Sequence, residues 1–415
     1  MKKKIIFLLM TLMIFLTRST FAANFSDSEI RLICAMSSMA AYEDDNGVLL
    51  RRMITDRGWL IESIKDKNDK ANAKALIISK KFDDGSLTKI LAICGTSEIK
   101  DAEVDLRLKP VTKQVEDQIL IHQGFKDYSE VLIKDLNINL VTELNVNRNE
   151  NLYLTGHSLG GAVAIVTAAN LIDQNIAADR LKVITFAAPA VGNKVFVDKY
   201  KDKINLTRVT VSGDPIKKSL QVLGYTHFGE VVNYKPDMKM IEHFPHKMAV
   251  YLDCAIRDYY DNSSINKSNS ALRIPNSELT YVAPMQVVKN SFTENDFKYI
   301  KAALRDQQKF KMPSAIFNEV EFKEVDEIKE VAMFDNSIEE ILPKAAALNC
   351  KKILVQYIQA KKIKVDREGN YRVSIEEITF DLNGLPISMQ TASVTTTELT
   401  LLEAAIFAEE KLLND

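Results

Sequence analysis

The sequence predicts an α/β domain with a mainly parallel central sheet, followed by a smaller α+β domain. Three observations carry this. Between residues 74 and 215, short apolar runs of buried-strand type alternate with helical patterns, the spacing that crossover helices between parallel strands require. Residues 261–280, DNSSINKSNSALRIPNSELT, are rich in Ser and Asn and read as a linker. Beyond them helices and strands continue without the regular alternation. At 415 residues the chain is also longer than one domain usually runs.

The first element is not part of either domain. Lys2, Lys3 and Lys4 precede an apolar run over 5–16 broken only by Thr11, and Thr20-Phe21-Ala22 supplies small residues where a peptidase would cut. This is the pattern of a secretory signal peptide, and the run is short for a membrane span, which needs about 20 apolar residues. Residues 1–22 are therefore expected to be removed, leaving a secreted or periplasmic protein. Losing Lys2, Lys3, Lys4 and Arg18, and no acid, makes the mature chain more acidic than the −2 of the whole. No basic tract remains that would bind nucleic acid.

Residues 23–260 should form the first domain. Ser26 and Glu29 make an S-x-x-E capping box for a helix over 26–42, with Ile30, Ile33, Cys34 and Ser37 on one face. KALIISKKF (74–82) and TKILAICGT (88–96) read as strands joined at Asp83-Asp84-Gly85, and 116–144 as helix. NLYLTGHSLGGAVAIVTAANLI then gives a buried strand ending at Thr155 and a helix from Leu159 to near Ile172. LKVITFAAPAVG (181–192) and LTRVTVSGDP (206–215) are two more strands. In the second domain, 281–415, helices are expected over 293–310, 336–349 (against Pro343) and 397–413. Strands are expected over 315–322 and 351–358, with a pair in 371–394 joined at Asn383-Gly384. That region carries no catalytic constellation; it reads as an accessory domain, or as one that docks to a protein or envelope partner.

The chemistry centres on TGHSLGGAVA (155–164), which holds three of the chain's 14 glycines. A bare G-x-S-x-G arises by chance in about one chain in ten of this length, so context decides. Ser158 lies where a buried strand meets a helix. A turn that sharp has no room for a β-carbon at Gly156 or Gly160. It projects the serine Oγ from the sheet edge and turns the free N–H groups of the helix start, Leu159 first, toward an oxyanion. Serine needs a base, and of five histidines His227, His243 and His246 follow it. His157 is adjacent but points away from the nucleophile on such a turn. Asp214, in VSGDPI, falls at the C-terminal end of a strand, where ligands and catalytic groups collect in α/β sheets. The order Ser, Asp, His is that of an acyl-transfer triad.

Several ordered motifs over 27–256 together resemble the class 3 (fungal-type) lipases of the α/β-hydrolase superfamily. They are AICGTSEIKDAEVDL (92–106), IHQGFKDY (121–128), LYLTGHSLGGAVA (152–164), TFAAPAVGN (185–193), VSGDPI (211–216), THFGEVV (226–232) and HKMAVYL (246–252). The resemblance implies a serine ester hydrolase without a cofactor or metal, acting on acylglycerols, related lipids or small esters, with contact to a lipid surface. It implies Ser158, Asp214 and His246 as catalytic, His227 as structural, and Thr96 beside Leu159 in the oxyanion hole. It also implies a disulfide between Cys34 and Cys254. Cys94 stands where the family has arginine, and Ala102 where many members carry a lid tryptophan. The lid segment SEIKDAEVD (97–105) holds five charges. A lid so polar implies little activation by lipid interfaces and useful activity on soluble esters.

Overall fold

The computed structural model describes residues 25–67, 71–95, 118–146, 150–216, 219–236, 245–262, 279–326, 336–365 and 368–413. The expected signal peptide, Thr96, the segment 97–105, His243 and most of the expected linker lie outside these residues. The chain divides into two compact units, Met1–Pro236 with Phe244–Ala255, and Asp237–His243 with Ile256–Asp415.

The first unit is built on a seven-stranded sheet whose order follows the chain: β1 (Leu60–Lys67), β2 (Asn72–Lys81), β3 (Leu87–Ile93), β4 (Glu150–His157), β5 (Leu181–Phe186), β6 (Asn205–Val211) and β7 (Glu230–Tyr234). β1 to β3 are antiparallel and β3 to β7 parallel. The β2–β3 turn is local: Gly85 takes φ +81°, and the Asp84 carboxylate accepts from both the Ser86 N–H and its hydroxyl.

Helix α1 (Asp27–Ala40) starts at the expected capping box of Ser26 and Glu29, and α2 (Asp45–Asp56) starts on the Asp44 side chain. The expected helix over 116–144 is α3 (Gln123–Val146), and the helix after the serine is α4 (Leu159–Asp173). β4 separates two packed faces, as strand alternation requires. Leu152 and Leu154 join the core with Ala162, Ile165 and Val166 of α4, while Thr155 turns the other way and its hydroxyl meets Ser38 of α1 at 3.0 Å. A short helix, α5 (Lys194–Tyr200), is capped by Asn193. Helix α6 (Met248–Asn262) runs past residue 260, where the first domain was expected to end.

The expected Cys34–Cys254 disulfide is not formed: all four cysteines are free and buried. Cys34 on α1 is hydrogen-bonded to Thr155 of β4, and burial pushes its thiol up to about 12. Its sulfur serves helix–sheet packing rather than a cross-link.

The second unit holds another seven-stranded sheet, with β8 (Thr280–Val282), β9 (Met285–Val288), β10 (Ile316–Phe317), β11 (Phe322–Val325), β12 (Lys352–Val365), β13 (Glu368–Phe380) and β14 (Pro386–Thr396). The single strand expected at 315–322 is thus two short ones. Helix α8 (Asn336–Ala347) forms despite Pro343 and covers one face, with Ile338 and Ile341 packing near Ile353 and Phe380. Helices α7 (Glu294–Lys311) and α9 (Leu401–Leu412) pack together, and α9 lies on β13 and β14.

Polar groups are buried among α7, α9, β12 and β13. The Gln308 amide donates to Gln356 Oε1, and Gln356 Nε2 donates to Glu377 Oε2 at 2.9 Å and to Glu409 Oε1 at 3.2 Å. One carboxamide thus faces two carboxyls. Burial pushes Glu409 up to about 8, and the Glu377 charge adds to burial against the Gln356 hydrogen bond. A carboxyl that keeps its proton to about pH 8 when folded, but sheds it near 4.5 when unfolded, stabilises fully below 4.5. That stability is lost as pH rises toward 8. The full chain should therefore lose urea stability between pH 5 and 8 in the transition of its second unit, and Glu409→Gln should flatten that slope.

Candidate active site

Ser158 sits between β4 and α4 with φ 56° and ψ −122°, a left-handed region that costs a non-glycine residue about 1–3 kcal/mol. The turn is held from both sides: the Ser158 N–H donates to Phe186 O at 2.9 Å, and the Ser158 carbonyl accepts from Ala162 N–H at 3.1 Å. A serine at a helix N-cap usually turns its oxygen onto the first-turn amides, but here it makes no such bond. Its hydroxyl goes to His246 instead. The first-turn N–H groups, Leu159 foremost, therefore receive no bond from the Ser158 side chain.

The glycines around it answer to backbone contacts. A Cβ on Gly156 would come within 2.4 Å of the Gly160 carbonyl carbon, and one on Gly160 within 2.2 Å of the Ile93 oxygen on β3. α4 thus rests against two adjacent strands with no side chain between.

Asp214 follows β6 and His246 precedes α6, as the sequence order requires. The Ser158 hydroxyl donates to His246 Nε2 at 2.8 Å, and His246 Nδ1–H donates to Asp214 Oδ2 at 2.9 Å. All three residues are at most 2% exposed. Burial pushes the Asp214 carboxyl up, but the bonds from His246, from Tyr251 O–H at 2.6 Å and from Ile216 N–H at 2.8 Å outweigh it and hold the group below the ordinary aspartate range. Tyr251 accepts in turn from Val211 N–H at 3.2 Å. Burial and the Asp214 charge raise its own hydroxyl well above the usual tyrosine value, so it stays a donor.

The structure thus brings Ser158, Asp214 and His246 into one hydrogen-bonded line, with Leu159, Gly156 and Gly160 around the serine. Thr96 lies outside the described residues, and β3 is described only to Gly95 beyond its end. Cys94 is buried and donates to the Gly95 carbonyl at 3.3 Å. His227 lies just before β7 and takes no place in the relay. Sequence reasoning missed three groups: Tyr251, Tyr42 and His157. Tyr42 O–H donates to His157 Nδ1 at 2.9 Å, and His157 Nε2 meets the His246 carbonyl at 2.7 Å. Tyr251 could have been suspected from its place in the HKMAVYL motif; Tyr42 carried no local signal.

Residues 90–222 match the family model of the class 3 lipases. This region of the chain is similar to the class 3 lipase family. Curated relatives include lipase ZK262.3 of Caenorhabditis elegans, 39% identical over 71 residues that cover 17% of this chain and 20% of the relative. Another is secreted mono- and diacylglycerol lipase A of Penicillium cyclopium, 28% identical over 139 residues, 33% of this chain and 45% of the relative. The matches span less than half the length of either. A solved lipase from Rhizopus microsporus var. chinensis is 20% identical with a TM-score of 0.41, covering 50% of this chain and 75% of that one. The class 3 lipase match runs from β3 to the short turn after Asp214, so Ser158 and Asp214 lie inside it while His246 lies beyond.

Two variants test this site. Gly160→Ala should cost about 3 kcal/mol or more in urea unfolding of the first unit, because the clash is with backbone that cannot swing away. Tyr251→Phe removes a donor to the Asp214 carboxylate. A carboxyl whose folded pKa is depressed stabilises above its unfolded value and loses that contribution as pH falls. The variant should therefore begin acid unfolding at a higher pH than the parent, followed by far-UV circular dichroism.

Proposed function

We propose that the first unit is a serine carboxylic-ester hydrolase of the lipase type, acting through an acyl-enzyme on Ser158. The observation that carries this is the line from Ser158 Oγ through His246 to Asp214, with spacings of 2.8 and 2.9 Å on a strained elbow. Ser158 Oγ attacks the ester carbonyl carbon, and its proton passes to His246 Nε2. The negative charge moves to the carbonyl oxygen, which the Leu159 N–H receives, joined by Thr96 as the family resemblance implies. Collapse breaks the bond to the alcohol, which takes the proton from Nε2. Water then attacks the acyl carbon while His246 again holds its proton, and the acid leaves as Ser158 is restored. Asp214 orients the imidazole and stabilises its charged form.

Acylglycerols and related lipids are the proposed substrate class, supported by the class 3 lipase match and by relatives named for mono- and diacylglycerols. The charged segment 97–105 supports useful rates on short or soluble esters. Export through residues 1–22 is supported by the sequence pattern and by relatives described as secreted. The second unit is proposed as an accessory domain.

A graded ester panel with Ser158→Ala alongside tests the reading. A fluorophosphonate should label the parent at Ser158 and leave the variant unlabelled, and turnover should fall by about 10⁴-fold or more. Rates should rise smoothly through the critical micelle concentration. A sharp jump there would contradict the polar lid, and unchanged turnover in the variant would remove the central claim.

A further inference from the structure

We infer that Tyr42 and His157 form a second relay whose work is to hold the main chain of His246 in place, a positioning role that rests on the ester-hydrolase reading above. A carbonyl oxygen only accepts, so the 2.7 Å contact to the His246 carbonyl requires a proton on His157 Nε2. The ring's Nδ1 is then a lone pair, and the Tyr42 O–H donates into it at 2.9 Å. Tyrosine therefore selects the tautomer, and the tautomer supplies the donor that grips the base. Burial first, and the proximity of His246 second, push the His157 pKa down to about 3, which keeps the relay uncharged. That matters because the two imidazoles lie side by side, with ring centroids 4.8 Å apart and planes at 39°. A charged His157 would oppose the imidazolium that His246 must become.

The backbone at His246 needs such a grip. It stands ahead of α6 rather than within it, and the residue before it, Pro245, has no N–H to offer. Asp214 fixes Nδ1 of the imidazole; nothing in that contact fixes the carbonyl end of the residue. Tyr42 is itself anchored, since its carbonyl accepts from Arg51 Nη2 at 3.2 Å. Its hydroxyl also touches the strand that leads to the oxyanion position: a Cβ on Gly95 would lie 2.7 Å from that oxygen. One side chain thus sets the distance between the end of β3 and the base.

The test uses the full chain with Tyr42→Phe, His157→Leu and His157→Gln, whose amide N–H can replace the Nε2 donor. On a soluble ester, Tyr42→Phe should lower kcat by about five- to tenfold, the worth of one neutral hydrogen bond. His157→Leu should lower it about a hundredfold, as a misplacement of about 1 Å does. KM should be unchanged in both, and His157→Gln should restore most of kcat. A second readout does not depend on turnover: the low-field proton resonance of His246 Nδ1–H on Asp214 should keep its position in His157→Gln and shift or broaden in the other two. Parent-like kcat and resonance in Tyr42→Phe and His157→Leu, or equal losses in His157→Gln and His157→Leu, would overturn the relay. Failure of the hydrolase reading looks different, since the parent itself would then resist fluorophosphonate while the resonance still reports on the relay.

Discussion

The close approach of α4 to β3 and β4 is the constraint on which the site depends. Ser158 keeps φ 56° because the chain must leave β4 and enter α4 within one residue. That is feasible only where Gly156, Gly160 and Gly161 let backbone meet backbone. The strain of about 1–3 kcal/mol is offset by core packing, since 11 of the residues of α4, from Gly160 to Leu171, are buried. The same approach brings the N-terminal end of the helix directly to the serine, so the strained turn and the helix start come from one packing event.

The acid and base are held by a different logic. Asp214 is a charge taken out of water, which costs several kcal/mol unless its lone pairs are filled. Three donors fill them, from His246, Tyr251 and the Ile216 backbone. The second unit shows the contrary case. Glu409 shares a carboxamide with Glu377 in a buried setting, and it responds by keeping its proton.

Much of the first unit was legible because its signals are local. The capping box at Ser26, the glycine spacing around Ser158 and the apolar runs of β4 to β6 each lie within a few residues. The order of Asp214 and His246 after the serine added the rest of the relay, and the two residues lie where that order put them. What could not be read was tertiary. Tyr42 meets His157 across 115 residues of sequence, and Tyr251 meets Asp214 across 37; no local pattern marks the first pairing, and only the place of Tyr251 in HKMAVYL hints at the second. β1 went unseen because it is an edge strand: Leu60 is 71% exposed, and what defines the strand is its pairing with β2 rather than an apolar run of its own. Residues 402–410 of α9, with Glu403, Glu409 and Glu410 among them, resemble a solvated acidic face yet are buried. Their environment is set by α7 and the sheet. The cysteine pairing failed because a thiol in a helix–sheet contact already has a partner in Thr155.

Helix α4 is buried without a break from Gly160 to Ala169 and meets solvent chiefly in its last turn, at Asp173. The amides of that buried stretch should exchange with solvent only when much of the first unit opens, so Ser158 does not sit on a separately melting element. For most enzymes the working site loosens before the scaffold does. Here heat should not loosen the Ser158 turn while the rest of the first unit stays folded.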